Sequence, residues 1–213
     1  MATMSNHSRT NAKLSALPLA ALFGAAVGVL GGLVGLGGAE FRLPLLIVLF
    51  GFVALEAVIV NKAISLVVVA AALLFRLREV PLDALLAHGD IVLNLLAGSM
   101  LGAWWGASWA VRAPARALQH LLAVLLVLIA AALLLHSLLP TSGPPGLDGA
   151  IRWPAGIAAG FGIGVVAALL GVAGGELLIP TIVLLFGADI KLAGSLSLAV
   201  SLPTMLVSFA RYS

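Results

Sequence analysis

The sequence predicts an all-α fold: a polytopic transmembrane helical bundle with an internal repeat and Gly-broken helices. Three observations predict it. The 213 residues are 62% hydrophobic and only 9% charged, with a mean hydropathy of +1.22, well outside the balance of a water-soluble domain. Apolar runs of the ~20 residues needed to cross about 30 Å of hydrocarbon recur along the chain. Helices are the expected spanning element, because lipid offers the backbone no partners and the alternation of barrel strands is missing. Finally, the stretch after Gly149 repeats the stretch before it.

Residues 1–15 are polar, and Arg9 and Lys13 hold this N-terminus in the cytoplasm by the positive-inside tendency. A secretory signal is rejected, since the apolar run from Ala16 continues past Gly51, far beyond a signal core of about 7–15 residues. The first transmembrane repeat, 16–139, opens with a long block at 16–51 that a glycine cluster at 31–38 splits. Segments follow at about 57–75, ended by Arg76, Arg78 and Pro81; at 91–111, closed by Arg112 and Pro114; and at 117–139. Pro and Gly in PTSGPPGLDG forbid a continued helix, so 140–152 is the inter-repeat loop. The second repeat, 153–213, holds another glycine-split block at 153–187 and a segment from about Ala193 to Arg211. It has no counterpart of 77–139, and its ending favours a truncated second half.

Sliding the sequence by 136 positions lays Gly24 on Gly160, Gly38 on Gly174, Glu40 on Glu176, Pro44 on Pro180 and Ser65 on Ser201. Without a gap, 15 of the 43 positions from Gly24 to Leu66 are identical. Leu and Ala recur by composition alone in so apolar a chain; the matched Glu, Pro and Phe-Gly do not. Repeats built around interrupted helices are a signature of secondary transporters.

As one straight helix, 16–51 would extend about 54 Å, too far for a membrane core. Each glycine costs a helix about 1 kcal/mol relative to alanine, so the break belongs at Gly31–Gly38. A new helix then begins with Glu40 in its first turn and Pro44 further in. Two readings of the paired acids stay open. In one, Glu40 and Glu176 merely complement the positive end of a helix dipole, worth about 1 kcal/mol. In the other, the acid binds a coupling proton or cation beside exposed backbone donors, since a carboxylate at membrane depth costs more than a dipole returns.

Arg42 has Leu178 as its counterpart, so it is either a cation that attracts an anion or neutralises an acid, or one that snorkels to the interface. Asn61 and Ser65 lie four apart on one helical face and match Ser197 and Ser201. Contacts to a solute and plain interhelical hydrogen bonds are both open for them. The candidate substrate-binding set therefore takes Gly35, Gly37, Gly38, Glu40, Arg42 and Pro44 from the first break. It takes Gly171, Gly174, Gly175, Glu176 and Pro180 from the second, with Asn61, Ser65, Ser197 and Ser201 from the helices that follow. The two prolines are read as helix starts or kinks, costing one backbone bond or none.

Glycines at every fourth position, Gly24/Gly28/Gly32, Gly98/Gly102/Gly106 and Gly156/Gly160/Gly164, line up small faces for close helix packing. Trp104, Trp105, Trp109 and Trp153 read as interface anchors. The net charge of +3 comes from scattered basic residues, which argues against nucleic acid. No cysteine is present, and His7, His88, His120 and His136 have no metal-like spacing. GxSxG, HExxH and P-loop patterns are missing, so no enzyme, metal or cofactor is expected.

The paired blocks GLVGLGGAEFRLPLL and ALLGVAGGELLIPTI, each followed by Phe-Gly and a Ser-containing helix, resemble the sulfite exporter TauE/SafE family over about 20–213. The resemblance implies a multi-pass bacterial inner-membrane transporter of small anions such as sulfite, sulfonates and related organosulfur compounds. It also implies further spans beyond the last one here. The first functional reading is accordingly a secondary transporter whose two broken helices meet near the midplane, with the lipid bilayer, a small anion and a coupling proton as partners and a homo-oligomer left open. The second is a non-transporting membrane subunit or truncated fragment that needs a partner. Two topologies compete: each glycine-split block crosses once, or it folds back as a hairpin and makes the halves inverted copies. The basic residues lean slightly toward single crossing.

Overall fold

The computed structural model describes residues 24–27, 38–76, 78, 80–138 and 151–212. Among the expected features, the N-terminus 1–15, Gly28, Gly32, Gly35, Gly37 and the loop residues 140–150 lie outside the described residues. Every regular element among the described residues is helical, in the order α1 (Ala39–Val48), α2 (Ala54–Arg76), α3 (Leu82–Ala87), α4 (Gly89–Arg112), α5 (Ala115–Leu138), α6 (Arg152–Leu170), α7 (Gly175–Phe186) and α8 (Ile190–Tyr212). Among them α2, α4, α6 and α8 are long and apolar enough to cross a membrane. Large apolar side chains such as Val67, Leu74, Leu93 and Leu101 stand on their outer faces, where lipid replaces a protein core.

The short helices α1 and α7 start alike, as repeat counterparts. Gly38 (φ 74°) and Gly174 (φ 79°) sit in the left-handed region just before the first helical residue. Space demands glycine there as well: a Cβ on Gly38 would lie 2.7 Å from the Val27 carbonyl oxygen, and one on Gly174 would press at 3.2 Å on Ile163, the repeat counterpart of Val27. Pro44 and Pro180 are each the sixth residue of their helix. Lacking an N–H, neither can bond the backbone carbonyl four residues earlier, which belongs to Glu40 in one helix and Glu176 in the other. Of the two readings of these prolines, the one with a lost bond applies.

The glycine stripes on α4 and α6 face each other. A Cβ on Gly98 would collide with the Ile157 carbonyl, one on Gly102 with that of Phe161, one on Gly160 with that of Leu95 and one on Gly164 with that of Ser99. Backbone therefore touches backbone along the seam, which small residues alone permit. Low numbers meet low numbers, so α4 and α6 run parallel. The described member of the third stripe, Gly24, has nothing within 4 Å of a Cβ.

Side-chain contacts then fix the other directions. At one end of the bundle, Arg76 at the close of α2 donates to Ser195 Oγ (3.0 Å) and the Lys191 carbonyl (3.1 Å) near the start of α8. The close of α7 lies at this same end, where the Arg152 guanidinium covers the Phe186 ring at 4.8 Å. At the other end, Arg211 donates to Ser108 Oγ (2.8 Å), and the Tyr212 hydroxyl donates to the Ala168 carbonyl. Thus α4, α6 and α8 run one way and α2 the other. Helix α8 begins and ends 136 positions after α2, yet it is antiparallel to it. The repeats are inverted copies, and the second glycine-split block is a hairpin: α7 leaves the break at Gly171–Gly174 and returns alongside α6. The expected lean toward single crossing is corrected here, because few basic residues and near-even sharing between the ends give charge little power over topology. Leu43, Val58, Leu118, Leu122 and Leu170 pack one core around the start of α2, and Leu95, Leu178, Ile182, Leu196 and Val200 another along α7 and α8.

Candidate functional site

Helices α1 and α7 begin at one place and leave it in opposite directions. Asn61 on α2 ties the start of α1 to the helix before the second break: its Nδ2 donates to the Ala39 carbonyl (3.0 Å) at the start of α1 and to the Leu170 carbonyl (3.1 Å) at the close of α6. The first turns of α1 and α7 carry the unbonded N–H groups and the positive ends of the helix dipoles. Glu40 and Glu176 are the second residues of α1 and α7, and their carboxyl groups lie near enough to act on one another. Both Glu40 oxygens are buried and have no hydrogen bond among the described residues. Glu176 is 8% exposed.

Arg42 is held by polar side chains of α2. It does not snorkel: its Nε donates to Asn61 Oδ1 (3.2 Å) and its NH2 to Ser65 Oγ (2.7 Å). Nor does it pair tightly with Glu40 or Glu176, since the ion pair found within 4 Å among the described residues is Arg152–Asp90. Its charge still reaches Glu40, its near neighbour on α1. Ser65 is the twelfth of the 23 residues of α2, so the guanidinium reaches the level of that helix's middle, although the helix starts lie nearer one end.

In the second half Leu178 replaces Arg42, and the pattern of bonds changes with it. Ser201, the counterpart of Ser65, is buried with no partner for Oγ among the described residues. Ser197, the counterpart of Asn61, donates to the Gly194 carbonyl (2.9 Å) of its own helix, and its Oγ lies 4.0 Å from where a Gly175 Cβ would stand. Gly171 packs against the Val58 backbone. Pro44 is exposed and Pro180 half-buried, each a turn along its helix from the acids. The structure thus gathers Gly38, Glu40, Arg42, Asn61, Ser65, Gly171, Gly174, Gly175, Glu176 and Ser197 around the two helix starts, while Gly35 and Gly37 lie outside the described residues.

Sequence reasoning gave no role to Lys62, which is fully buried. Its Nζ donates to the Ala167 (2.8 Å) and Val172 (3.0 Å) carbonyls at the close of α6. With Asn61 on Leu170 and Tyr212 on Ala168, side chains from α2 and α8 bond the carbonyls at this helix end, of which Ala167 and Ala168 also accept from the N–H groups of Val172 and Gly171, and the cation faces the negative end of the dipole. The available signal was that Lys62 follows Asn61 directly and has Leu198 as its counterpart.

No curated protein and no solved structure matches the chain. A family model described as Sulfite exporter TauE/SafE matches residues 20–213. That match spans both breaks and all of the helices above, and the chain belongs to the sulfite exporter TauE/SafE family, as an integral membrane protein of a transporter family.

Proposed function

We propose that this protein is a multi-pass secondary transporter of the inner membrane that carries a small anion, such as sulfite, a sulfonate or a related organosulfur anion. The observation behind this reading is that Asn61 ties the start of α1 to the close of α6, where the second break begins, so that interruptions from two inverted repeats lie side by side. Paired N-termini suit an anion, because unbonded amides and two dipoles face it at once, and inverted repeats around interrupted helices suit alternating access. Residues 16–139 and 153–213 form the two repeats. Arg42, steered by Asn61 and Ser65, supplies the cation, the amides after Gly38 and Gly174 supply backbone donors, and Glu40 or Glu176 carries the coupling proton.

Purified protein in proteoliposomes tests this. Labelled sulfite should move down an imposed pH gradient, and replacing both glutamates (Glu40→Gln with Glu176→Gln) should abolish the proton-coupled part of the flux. Unchanged proton-coupled flux in the double variant would remove the acids from the mechanism.

A further inference from the structure

Helix α4 has an outer face that changes character along its length. Leu93, Met100, Trp104, Ser108 and Arg112 are spaced seven and then four apart, so they share that face. Leu93, Met100, Trp104 and Arg112 are exposed, and Ser108 is half-buried. The face runs from apolar side chains through an indole to a hydroxyl, and ends in a guanidinium at the close of α4. A second guanidinium is fixed on it from α8. Arg211 Nε donates to Ser108 Oγ at 2.8 Å, and the guanidinium lies over the Trp104 ring at 4.9 Å. Those anchors sit one and two turns before the close of α4. Arg211 therefore lies back along the bundle instead of extending past its end into water, the usual escape of a cation near a helix terminus.

The 24 residues of α4 extend about 36 Å against about 30 Å of hydrocarbon, which puts Ser108 within about one turn of the hydrocarbon edge. A cation held at that depth without a counter-charge is costly. Arg152 at the other end of the bundle has Asp90 at 3.1 Å, but no carboxylate lies within 4 Å of Arg211 among the described residues, and its terminal nitrogens have no acceptor among them. The anions found at that level of a bilayer are lipid phosphates. The apolar strip leading inward from Trp104 fits the other part of the same molecule, for which a free oxyanion has no use. We propose that this face binds one anionic phospholipid, its phosphate on Arg211 and Arg112 and an acyl chain along Trp104, Met100 and Leu93. Two guanidinium groups at the headgroup select a net negative lipid over one that carries its own cation. The site does not depend on the transport reading, because it lies on the outer face of α4 and uses none of the residues at the helix breaks.

Native mass spectrometry of the purified protein, titrated with phosphatidylglycerol or with phosphatidylcholine of the same chains, reads the site. One phosphatidylglycerol should stay bound at collision energies that strip phosphatidylcholine. Arg211→Gln should weaken phosphatidylglycerol binding by at least about tenfold, and Arg112→Gln by about fivefold. Arg78→Gln, which removes an exposed cation beyond the close of α2 at the other end of the bundle, should leave it unchanged. Equal retention of the two lipids by the wild type would overturn the proposal, and that measurement needs no variant to fold. So would glycerol phosphate binding as tightly as the whole lipid, since the ligand would then be a soluble anion. A wild-type dimer that Trp104→Ala dissociates would overturn it too, by giving the face to a second copy of the chain.

Discussion

Replacing Asn61 by leucine, a side chain of similar volume, removes three contacts at the junction of the two halves. Arg42 Nε loses its acceptor, and the Ala39 and Leu170 carbonyls each lose a donor. Side-chain hydrogen bonds inside membrane proteins average about 0.6 kcal/mol and reach about 1.7 kcal/mol, because the unfolded chain in lipid also finds partners. Three together are worth about 2–5 kcal/mol on that scale. For a chain of this length, 1 kcal/mol shifts Tm by about 2–4 °C, so Asn61→Leu should lower Tm by about 4–20 °C. The control is its repeat counterpart: Ser197→Ala deletes one bond that stays within α8, worth about 0.6 kcal/mol or less and at most a few degrees. Circular dichroism melts of the two variants in the same detergent decide the matter. Equal shifts, or a melt of Asn61→Leu within about 2 °C of wild type, would refute the claim that Asn61 joins the two breaks.

Further outcomes follow from other contacts. Lys62→Met keeps the apolar stem but takes the Nζ donor from the Val172 carbonyl and leaves Ala167 with its backbone bond alone, so a loss of about 1–3 kcal/mol is expected in the same melts. Gly102→Val drives side-chain atoms into the Phe161 backbone and should abolish monodisperse protein on size exclusion, whereas Gly162→Ala, which meets nothing within 4 Å, should be neutral or stabilise by up to about 1 kcal/mol. Since the chain has no native cysteine, single cysteines at Val53 and Arg78 can be labelled with an impermeant reagent in sealed vesicles. They should react from opposite sides, because they flank α2 at its two ends, and labelling from one side would refute the crossing of α2.

Much of the architecture was legible because it is written locally. Length and apolarity alone bound the spans, and helix starts could be placed from glycine because a left-handed turn strains any other residue at Gly38 and Gly174, with a neighbour close to each. Duplication was equally plain, since matched Glu, Pro and Phe-Gly positions survive as residue identities. The acids belong to the same local signal: their distance from glycine and proline is the same in both halves, which set them as second residues of their helices. Arg42 was noticed for lacking a counterpart, but its partners were not foreseeable, as Asn61 and Ser65 lie 19 and 23 residues away on another helix. Lys62 escaped notice for a related reason. A lysine in an apolar segment reads alike whether it reaches a headgroup or a helix end, and its carbonyl partners lie more than a hundred positions along the chain.

Composition and periodicity therefore settled the solvent, the secondary structure and the existence of two like halves, all of which depend on interactions within a few turns of chain. The relative direction of those halves came from elsewhere. Direction depends on how an intervening, unrepeated stretch crosses the bilayer, and a handful of evenly shared basic residues biases that weakly. It was set by backbone contact between the glycine faces of α4 and α6 and by side chains that tie the close of α2 to the start of α8 and the close of α8 to the closes of α4 and α6. Through those long-range contacts two separate interruptions, each unremarkable as a helix start, became one junction with a pair of acids and a cation in it.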